Sequence, residues 1–232
     1  MSTSGVVLAV ALSGGEDPRV RRVAEALTGA VGGRVRELGV PAADGRQRAA
    51  AVLNALDDDQ TLLCVLAAVP PDLDWCWSVV SQAHKPVVLV PSGAVPERKV
   101  IARALLPLDG SAEAAGAVSR TVRLLDRVGI DLIVLHVFDA TTVPACWDQG
   151  AHAGEAWESE FRARCGAPTS ARLELRRGVA SEHVVRAAAA EDVDLIALGW
   201  SQTIEKGRSQ TVRATVLNAP VPVLLIPIGG AP

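Results

Sequence analysis

At 232 residues, of which 49% are apolar, the chain is long enough to form two domains with separate cores. Its 23 basic and 26 acidic side chains nearly cancel, and this balance argues against intrinsic disorder and against a nucleic-acid partner. No apolar run approaches the roughly 20 residues that span a bilayer, and residues 1–5 lack the basic region of a signal peptide. We therefore expect a cytoplasmic protein without a membrane partner.

The N-terminal part of the chain alternates short apolar runs with segments of helical period. Val20, Val23, Leu27 and Val31, for example, repeat at the spacing of one helix face. In chain order, the pattern predicts a strand at 6–12, a helix at 19–31, a strand at 34–38, a helix at 46–56, a strand at 62–67, a helix at 73–82 and a strand at 86–90.

The same rhythm continues toward the C-terminus. It predicts a strand at 104–108, a helix at 112–128, strands at 132–137 and 173–177, a helix at 182–190, a strand at 195–199, a helix at 211–218 and a strand at 221–226. Because strands such as 132–135 are apolar at consecutive positions, they are typical of a parallel sheet that helices cover on both faces. The sequence therefore predicts an α/β fold of two tandem doubly wound parallel-sheet domains, 1–95 and 96–232, divided in the turn-rich segment 92–99.

The two predicted domains share a repeat. Six residues recur at a constant offset of 136, namely Ala83, Pro86, Val87, Leu89, Pro91 and Gly93 as Ala219, Pro222, Val223, Leu225, Pro227 and Gly229. Segments 9–15 and 105–111 also align, and the larger offset at the end makes the second copy longer, with an insertion near 139–170. Since prolines are tolerated at the ends of strands and on sheet edges, we predict that the two final strands are edge strands and pair with each other across a pseudo-twofold axis.

Polar and small residues of the second copy gather at the carboxyl ends of its predicted strands, where open parallel sheets bind ligands. Asp109 is placed to accept a hydrogen bond from an adenine amino group or a ribose hydroxyl, and the loop before the helix at 211 is placed to hold a phosphate with its N–H groups, aided by Lys206. The alternative interpretation is an ordinary strand-to-helix turn with loop glycines. The candidate site residues are Leu108, Asp109, Gly110, Ser111, Val137, Gly199, Gly207, Arg208, Ser209, Gln210 and Thr211.

The second copy resembles the universal stress protein family over residues 100–227. The resemblance is carried by segments 106–111, 135–137, 177–182, 194–199 and 219–227. It implies a Rossmann-like sheet of the adenine nucleotide alpha hydrolase type and frequent dimerisation. Many members of the family bind ATP or AMP with a G-x2-G-x9-G-S/T loop, so the resemblance also implies such a nucleotide.

That phosphate loop is incomplete here. Counting from Gly199, the second glycine falls on Gln202; counting back from Ala219, the Gly-Ser pair falls on Ser209-Gln210, with Gly207 nearby as a substitute. Because side chains obstruct the close approach of backbone to phosphate, we expect phosphate binding to be weakened while Asp109 keeps adenosine recognition.

The first copy departs further from the family pattern. Ser13 stands where Asp109 stands in the second copy, and segment 67–73 has prolines, which lack N–H donors, in place of a glycine-rich loop. We therefore interpret this copy as a structural partner that takes the place of a second subunit.

One motif favours a different class of protein. Segment 13–17 resembles the S-G-G-x-D-S pyrophosphate loop of ATP pyrophosphatases and adenylating enzymes, although Pro18 replaces the final serine. The alternative is a helix start with Asp17 as N-cap and Pro18 in the first turn. We favour the helix start, because no later segment supplies the other substrate contacts.

Aromatic residues are concentrated in or beside the insertion. If 155–164 is helical, Trp157 and Phe161 form a packing stripe that docks on the sheet. A second hypothesis makes segment 147–149, with His152, a lid that faces Trp200.

Metal and nucleophile chemistry is not indicated. Cys64, Cys76, Cys146 and Cys165 lack metal-ligand spacing and are expected to be reduced and mostly buried. His136 lies in an apolar strand and is interpreted as a core residue, and no catalytic triad is readable.

We therefore expect a binding or regulatory module without turnover that takes ATP or AMP in its second copy. The rivals are a nucleotide-free protein-interaction module and an ATP-hydrolysing or adenylating enzyme that uses Ser13-Gly14-Gly15. The protein partner and any further homodimer stay open.

Overall fold

The computed structural model describes residues 5–12, 15, 17–40, 44–94, 100–138, 151–202 and 208–228. We call the described residues up to 94 the N-terminal half and those from 100 onward the C-terminal half. The N-terminal half contains β1 (Val6–Leu12), α1 (Pro18–Val31), β2 (Arg34–Val40), α2 (Gly45–Leu56), β3 (Thr61–Ala68), α3 (Asp74–Gln82) and β4 (Val87–Pro91). Every predicted element of this half is present, with its ends shifted by a few residues.

The C-terminal half repeats this order and adds two elements. It contains β5 (Arg103–Pro107), α4 (Ala112–Arg127), β6 (Asp131–Phe138), α5 (Ala151–Cys165), β7 (Arg172–Arg177), α6 (Ala180–Ala190), β8 (Leu195–Trp200), α7 (Arg208–Asn218) and β9 (Val223–Pro227). The added elements, α5 and β7, follow β6, so much of the longer second copy is a helix and a strand.

All nine strands form one sheet in the order β2-β1-β3-β4-β9-β8-β5-β6-β7. Within each half every neighbouring pair is parallel. The order β2-β1-β3-β4 of the first half recurs as β6-β5-β8-β9 in the second, with β7 added outside β6. The two halves therefore have the same topology.

Helices cover both faces of the sheet. Successive strand residues contribute to opposite cores, as Val6 and Leu8 of β1 do on one face and Val7 on the other. One face is covered by α2, α3, α6 and α7, and the other by α1, α4 and α5. This double coverage explains why the strands are apolar at consecutive positions, and it confirms the predicted tandem doubly wound α/β fold.

The halves join through β4 and β9, which are antiparallel. The Val88–Leu224 pair lies at the centre, and Val87 and Leu89 lie opposite Leu225 and Val223. At the offset of 136 these residues are each other's equivalents, so the register is symmetric about the central pair. The predicted pairing of the two final strands across a pseudo-twofold axis is confirmed. As a consequence, the strands of the two halves point their carboxyl ends toward opposite edges of the sheet.

Helix α5 docks on the sheet as its aromatic stripe predicts. The rings of Trp157 and Phe161 are stacked 4.8 Å apart, and Phe161 is fully buried with Cys165 in the core below α4. Cys146 and the hypothetical lid segment 147–149 lie outside the described residues, as does the side chain of His152. None of the helices that the structure describes combines the length and the apolar composition needed to cross a membrane.

Candidate functional site

A cavity of about 120 Å³ lies at the carboxyl ends of the strands of the C-terminal half. From β5 the chain moves to β6 on one side, and it later returns to β8 on the other side of β5. The crevice between β5 and β8 is therefore the point where strand order reverses, the usual ligand position in such sheets. The cavity is lined by Pro107, Leu108, Asp109, Ala114, Leu135, Val137, Ala180, Val184, Leu198, Gly199, Thr211, Val212 and Ile228.

Some of the predicted site residues meet in this cavity and others do not. Those that line it are Leu108, Asp109, Val137, Gly199 and Thr211. Ser209 is buried in the first turn of α7, and Gln210 beside it is exposed. Gly207 and the side chain of Arg208 lie outside the described residues.

The turn that follows β5 holds Asp109 in place. The backbone N–H and the hydroxyl of Ser111 both donate to Asp109 Oδ1, at 2.9 and 2.7 Å. The Ser111 hydroxyl oxygen in turn accepts from the N–H of Ala114 at 3.2 Å. Ser111 is thus the N-cap of α4, as the alternative interpretation has it, and the same hydrogen bonds fix a carboxylate at the cavity wall.

His136 is buried next to this turn and forms a hydrogen bond with its backbone. It is 6% exposed, and its Nδ1 donates to the carbonyl of Leu108 at 2.8 Å. Its ring centroid lies 4.8 Å from that of Phe161. Gly110 has φ +83°, and a Cβ there would come within 3.4 Å of Phe161. The interpretation of His136 as a core residue is confirmed, and α5 provides the packing behind the Asp109 turn.

Gln202, which stands at the position of the family's second loop glycine, has an unusual backbone conformation. Gln202 has φ +60°, a left-handed conformation that favours glycine. Its side-chain amide donates to the carbonyl of Ala83, at the end of α3 in the other half. Gln202 therefore has a backbone conformation that glycine adopts more easily, and its side chain joins the two halves.

Ile228 narrows the cavity from above Gly199. The N–H of Ile228 donates to the carbonyl of Trp200 at 2.7 Å, which fixes the chain just after β9. A Cβ on Gly199 would lie 3.4 Å from Ile228 Cδ1 and 3.5 Å from the carbonyl oxygen of Ala114. Gly199 therefore permits close packing at the cavity wall.

Trp200 lies in the core beside Trp77 of the other half. The side chain is 2% exposed, its ring centroid lies 6.1 Å from that of Trp77, and it does not line the cavity. The indole is therefore part of the core, and the lid hypothesis stays a prediction because segment 147–149 lies outside the described residues.

Most of the apolar residues that line the cavity carry no sequence motif that marks them as part of a site. Ala180 and Val184 come from α6, and Ile228 follows β9. The spacing of Ala180 and Val184 marks one helix face, but the sequence does not say that this face turns toward β5.

A second cavity, of about 650 Å³, lies at the corresponding place in the N-terminal half. There β1 stands between β2 and β3, so the strand order reverses beside it. This half lacks the family's glycine-rich loop, yet the cavity at its strand ends is larger than the one in the C-terminal half. The lining residues are Val10, Leu12, Gly15, Asp17, Pro18, Arg19, Ala67, Val69, Pro70, Asp72 and Trp75.

The motif that resembles a pyrophosphate loop begins a helix beside this cavity. Asp17 is the N-cap of α1, with Pro18 in the first turn, as we favoured. Asp17 Oδ1 accepts from the N–H of Arg19 at 2.9 Å, and Oδ2 accepts from its guanidinium at 2.7 Å. Ser13 and Gly14 lie outside the described residues.

The described thiols are buried and free. Cys64, Cys76 and Cys165 form no disulfide, and burial raises the pKa of Cys76 to about 12, which leaves the thiol protonated and unreactive. In the described part of the chain, no three histidine, cysteine or carboxylate side chains form a group that would hold a metal ion.

The strand order, the helices on both faces and a cleft at each reversal point define a tandem Rossmann-like α/β protein. The model of the universal stress protein family matches residues 101–227, which is more than half of the chain. The chain therefore belongs to the universal stress protein family. The match covers the C-terminal half, in agreement with a degenerate first copy.

Solved structures share the whole two-half architecture. A universal stress protein from Archaeoglobus fulgidus DSM 4304 is 13% identical, with a TM-score of 0.66 over 98% of this chain and 98% of that chain. A protein from Pseudomonas aeruginosa UCBPP-PA14, assigned to the same family, is 16% identical, with a TM-score of 0.66 over 96% of this chain and 92% of that chain. At these identities the similarity shows the fold. No protein of curated function matches the chain.

Proposed function

We propose that this protein is a cytoplasmic binding or regulatory module without turnover, and that its C-terminal half binds an adenine nucleotide, AMP or ATP, at Asp109. The observation that supports this most is the carboxylate of Asp109, held by Ser111 at the wall of the cavity between β5 and β8. We also propose that the halves are two domains, 1–95 and 96–232.

The cavity suits a base better than a whole nucleotide. Leu108, Val137, Leu198 and Val212 provide apolar walls, which match the faces of a purine. The volume of about 120 Å³ is below the roughly 300–1,000 Å³ of complete ligand pockets. The base would therefore fill the cavity, with Asp109 accepting a hydrogen bond from the adenine amino group or a ribose hydroxyl.

The phosphates would lie outside the cavity, toward the first turns of α6 and α7. Val179, the N-cap of α6, makes no side-chain capping bond, and Thr211 of α7 lines the rim. Without the family's glycines these groups form an incomplete phosphate cradle. We therefore expect AMP and ATP to bind with similar, weak affinity.

Isothermal titration calorimetry with AMP, ATP and buffer alone tests the site. Asp109→Ala should weaken binding of both nucleotides by roughly tenfold or more, because a hydrogen bond to a charged group contributes about 1.5–3 kcal/mol. Glu113→Ala, which removes an exposed acid in the first turn of α4, is the matched control and should leave binding unchanged. An unchanged nucleotide affinity in the Asp109→Ala variant would contradict the assignment of the site to Asp109.

The second candidate is a nucleotide-free interaction module. The narrowing of the cavity by Ile228 and the engagement of Gln202 with Ala83 favour it. It predicts a protein that purifies without ultraviolet-absorbing ligand and gives no calorimetric signal with either nucleotide. An adenylating enzyme would instead release pyrophosphate and lose that activity in Asp17→Asn.

A further inference from the structure

We propose that the cavity of the N-terminal half, at the carboxyl ends of β1 and β3, is a separate binding site for an uncharged, largely apolar small molecule. The size of the space, the nature of its walls and the pairing of its charges carry this inference.

The cavity has the size and the lining of a ligand pocket. Its volume of about 650 Å³ lies within the roughly 300–1,000 Å³ typical of small-molecule sites. Val10, Ala67 and Trp75 contribute apolar surface to its walls. Leu12 and Val69 also line it and are 37% and 38% exposed, so apolar surface continues outward from the walls.

Among the described residues at the start of α1, the donors nearest the cavity are already engaged. The N–H of Gly15 donates to Leu12 O, and that of Arg19 donates to Asp17. The Arg19 guanidinium donates to both oxygens of Asp17 and to the carbonyl of Ser92. Pro18 has no N–H. A phosphate placed here would meet the Asp17 carboxylate at the start of α1 instead of free donors.

The carboxylates are likewise neutralised. Asp17 is paired with Arg19, and Asp72 with Arg48, so the two acids and their two partners carry no net charge. A cation would gain little attraction from paired carboxylates. The remaining surface favours a neutral molecule that loses apolar contact with water on binding.

The test uses the full-length protein and two related fluorophores, neutral N-phenyl-1-naphthylamine and anionic 8-anilino-1-naphthalenesulfonate. The neutral probe should bind with one-to-one saturation, roughly tenfold or more tighter than the anionic probe, because the described walls offer apolar surface and their N-terminal donors on α1 are engaged by Asp17 and backbone carbonyls. Equal binding of the two probes, or no saturable binding of the neutral one, would overturn the proposal.

A matched pair of variants locates the site. Val69→Asp puts a charge beside the apolar cavity at a partly exposed residue and should weaken binding of the neutral probe roughly tenfold. Val128→Asp makes the same change at a similarly exposed valine in the C-terminal half, away from both cavities, and should leave probe binding within about twofold. An equal loss in both variants, or no loss in Val69→Asp, would refute the location.

Competition separates this inference from the nucleotide proposal. Excess AMP should not displace the neutral probe, because the two cavities lie at opposite edges of the sheet. Displacement by AMP would overturn the inference. Failure of the nucleotide site would instead show in calorimetry on wild type and Asp109→Ala, with no effect on the probe.

Discussion

Two buried threonines show that the contribution of a hydroxyl to stability depends on whether it has a hydrogen-bond partner. Thr61 is 2% exposed, and its hydroxyl donates to the carbonyl of Ala55 at 3.1 Å and accepts from Arg36 at 3.4 Å. Thr215 is 0% exposed, and within the described residues its hydroxyl has no hydrogen-bond partner. A buried hydroxyl without a partner loses the hydrogen bonds that water gives it.

We therefore expect opposite effects from the same substitution. Thr215→Val should raise the free energy of unfolding by about 1 kcal/mol, because it removes the unpaired hydroxyl at nearly constant volume. Thr61→Val should lower it by about 1 kcal/mol, because it removes two hydrogen bonds. Urea unfolding at pH 7 measures both, and changes of the same sign would contradict this account.

Asp17 links the stability of α1 to pH. Burial opposes ionisation of its carboxyl, but the hydrogen bonds from the Arg19 side chain and main chain outweigh burial, and the pKa lies below its usual value. The charge therefore stabilises the fold above the usual pKa of about 4, and this contribution is lost as the pH falls through the lowered value.

Asp17→Asn tests this charge, because asparagine keeps the capping oxygen. The variant should be less stable than the wild type near pH 7, and the difference should shrink as the pH falls through the lowered pKa of Asp17. Urea unfolding from pH 2.5 to 7 measures the difference. Asp17→Ala, the harsher control, should also lose the cap, at about 0.5–2 kcal/mol. A difference between wild type and Asp17→Asn that is independent of pH would contradict the role of the charge.

At the scale of helices and strands, local signals predict which elements exist better than where they end. Asp17-Pro18 marks the start of α1 correctly because capping is a local interaction. The predicted strand at 221–226 begins instead at Val223, since Pro222 has no N–H to donate to a ladder. Helix α7 begins at Arg208, earlier than the predicted 211.

The candidate site is less predictable than the fold, because its walls come from distant parts of the chain. Asp109 and Gly199 were readable as strand ends, and the reversal point placed them together. The contact of Gln202 with Ala83 spans 119 residues, and no local pattern announces it. Likewise the size of each cavity depends on side-chain packing, so the larger space in the N-terminal half could not be read from its missing motif.

Gln202→Gly tests the loop between β8 and α7. Glycine relieves the left-handed backbone, which costs other residues about 1–2 kcal/mol, but the variant loses a hydrogen bond of about 1 kcal/mol. We expect little net change in stability, and ATP binding that improves more than AMP binding. Thermal melts and calorimetry measure the two effects. Unchanged ATP affinity would mean that Gln202 does not limit the phosphate end.

At the scale of the whole molecule, the halves share their cores. Leu89 of β4 and Leu225 of β9 belong to one apolar cluster, and Val90 and Leu224 belong to the other. Because both clusters run across the β4–β9 junction, a destabilising substitution in the core of one half should also destabilise the other half.

We expect the two halves to unfold in a single transition. Leu89→Ala should lower the free energy of unfolding by about 2–5 kcal/mol, since it empties a fully buried site at the junction, and it should shift the melting of both halves equally. Far-UV circular dichroism and tryptophan fluorescence, followed in the same denaturant series, measure this. Two separate transitions, or a shift confined to one probe, would contradict shared cores.

The antiparallel junction makes the molecule two-ended. The cavities of the two halves lie at opposite edges of the sheet, so ligands bound in them would not contact each other. The loops around one cavity can therefore change in sequence without altering the other cavity. Communication between the openings would pass through the contacts between the halves, which include the paired strands β4 and β9, the Gln202–Ala83 hydrogen bond and the Trp77–Trp200 ring contact. The single sheet thus carries one cavity at each of its two opposite edges, with a different lining in each.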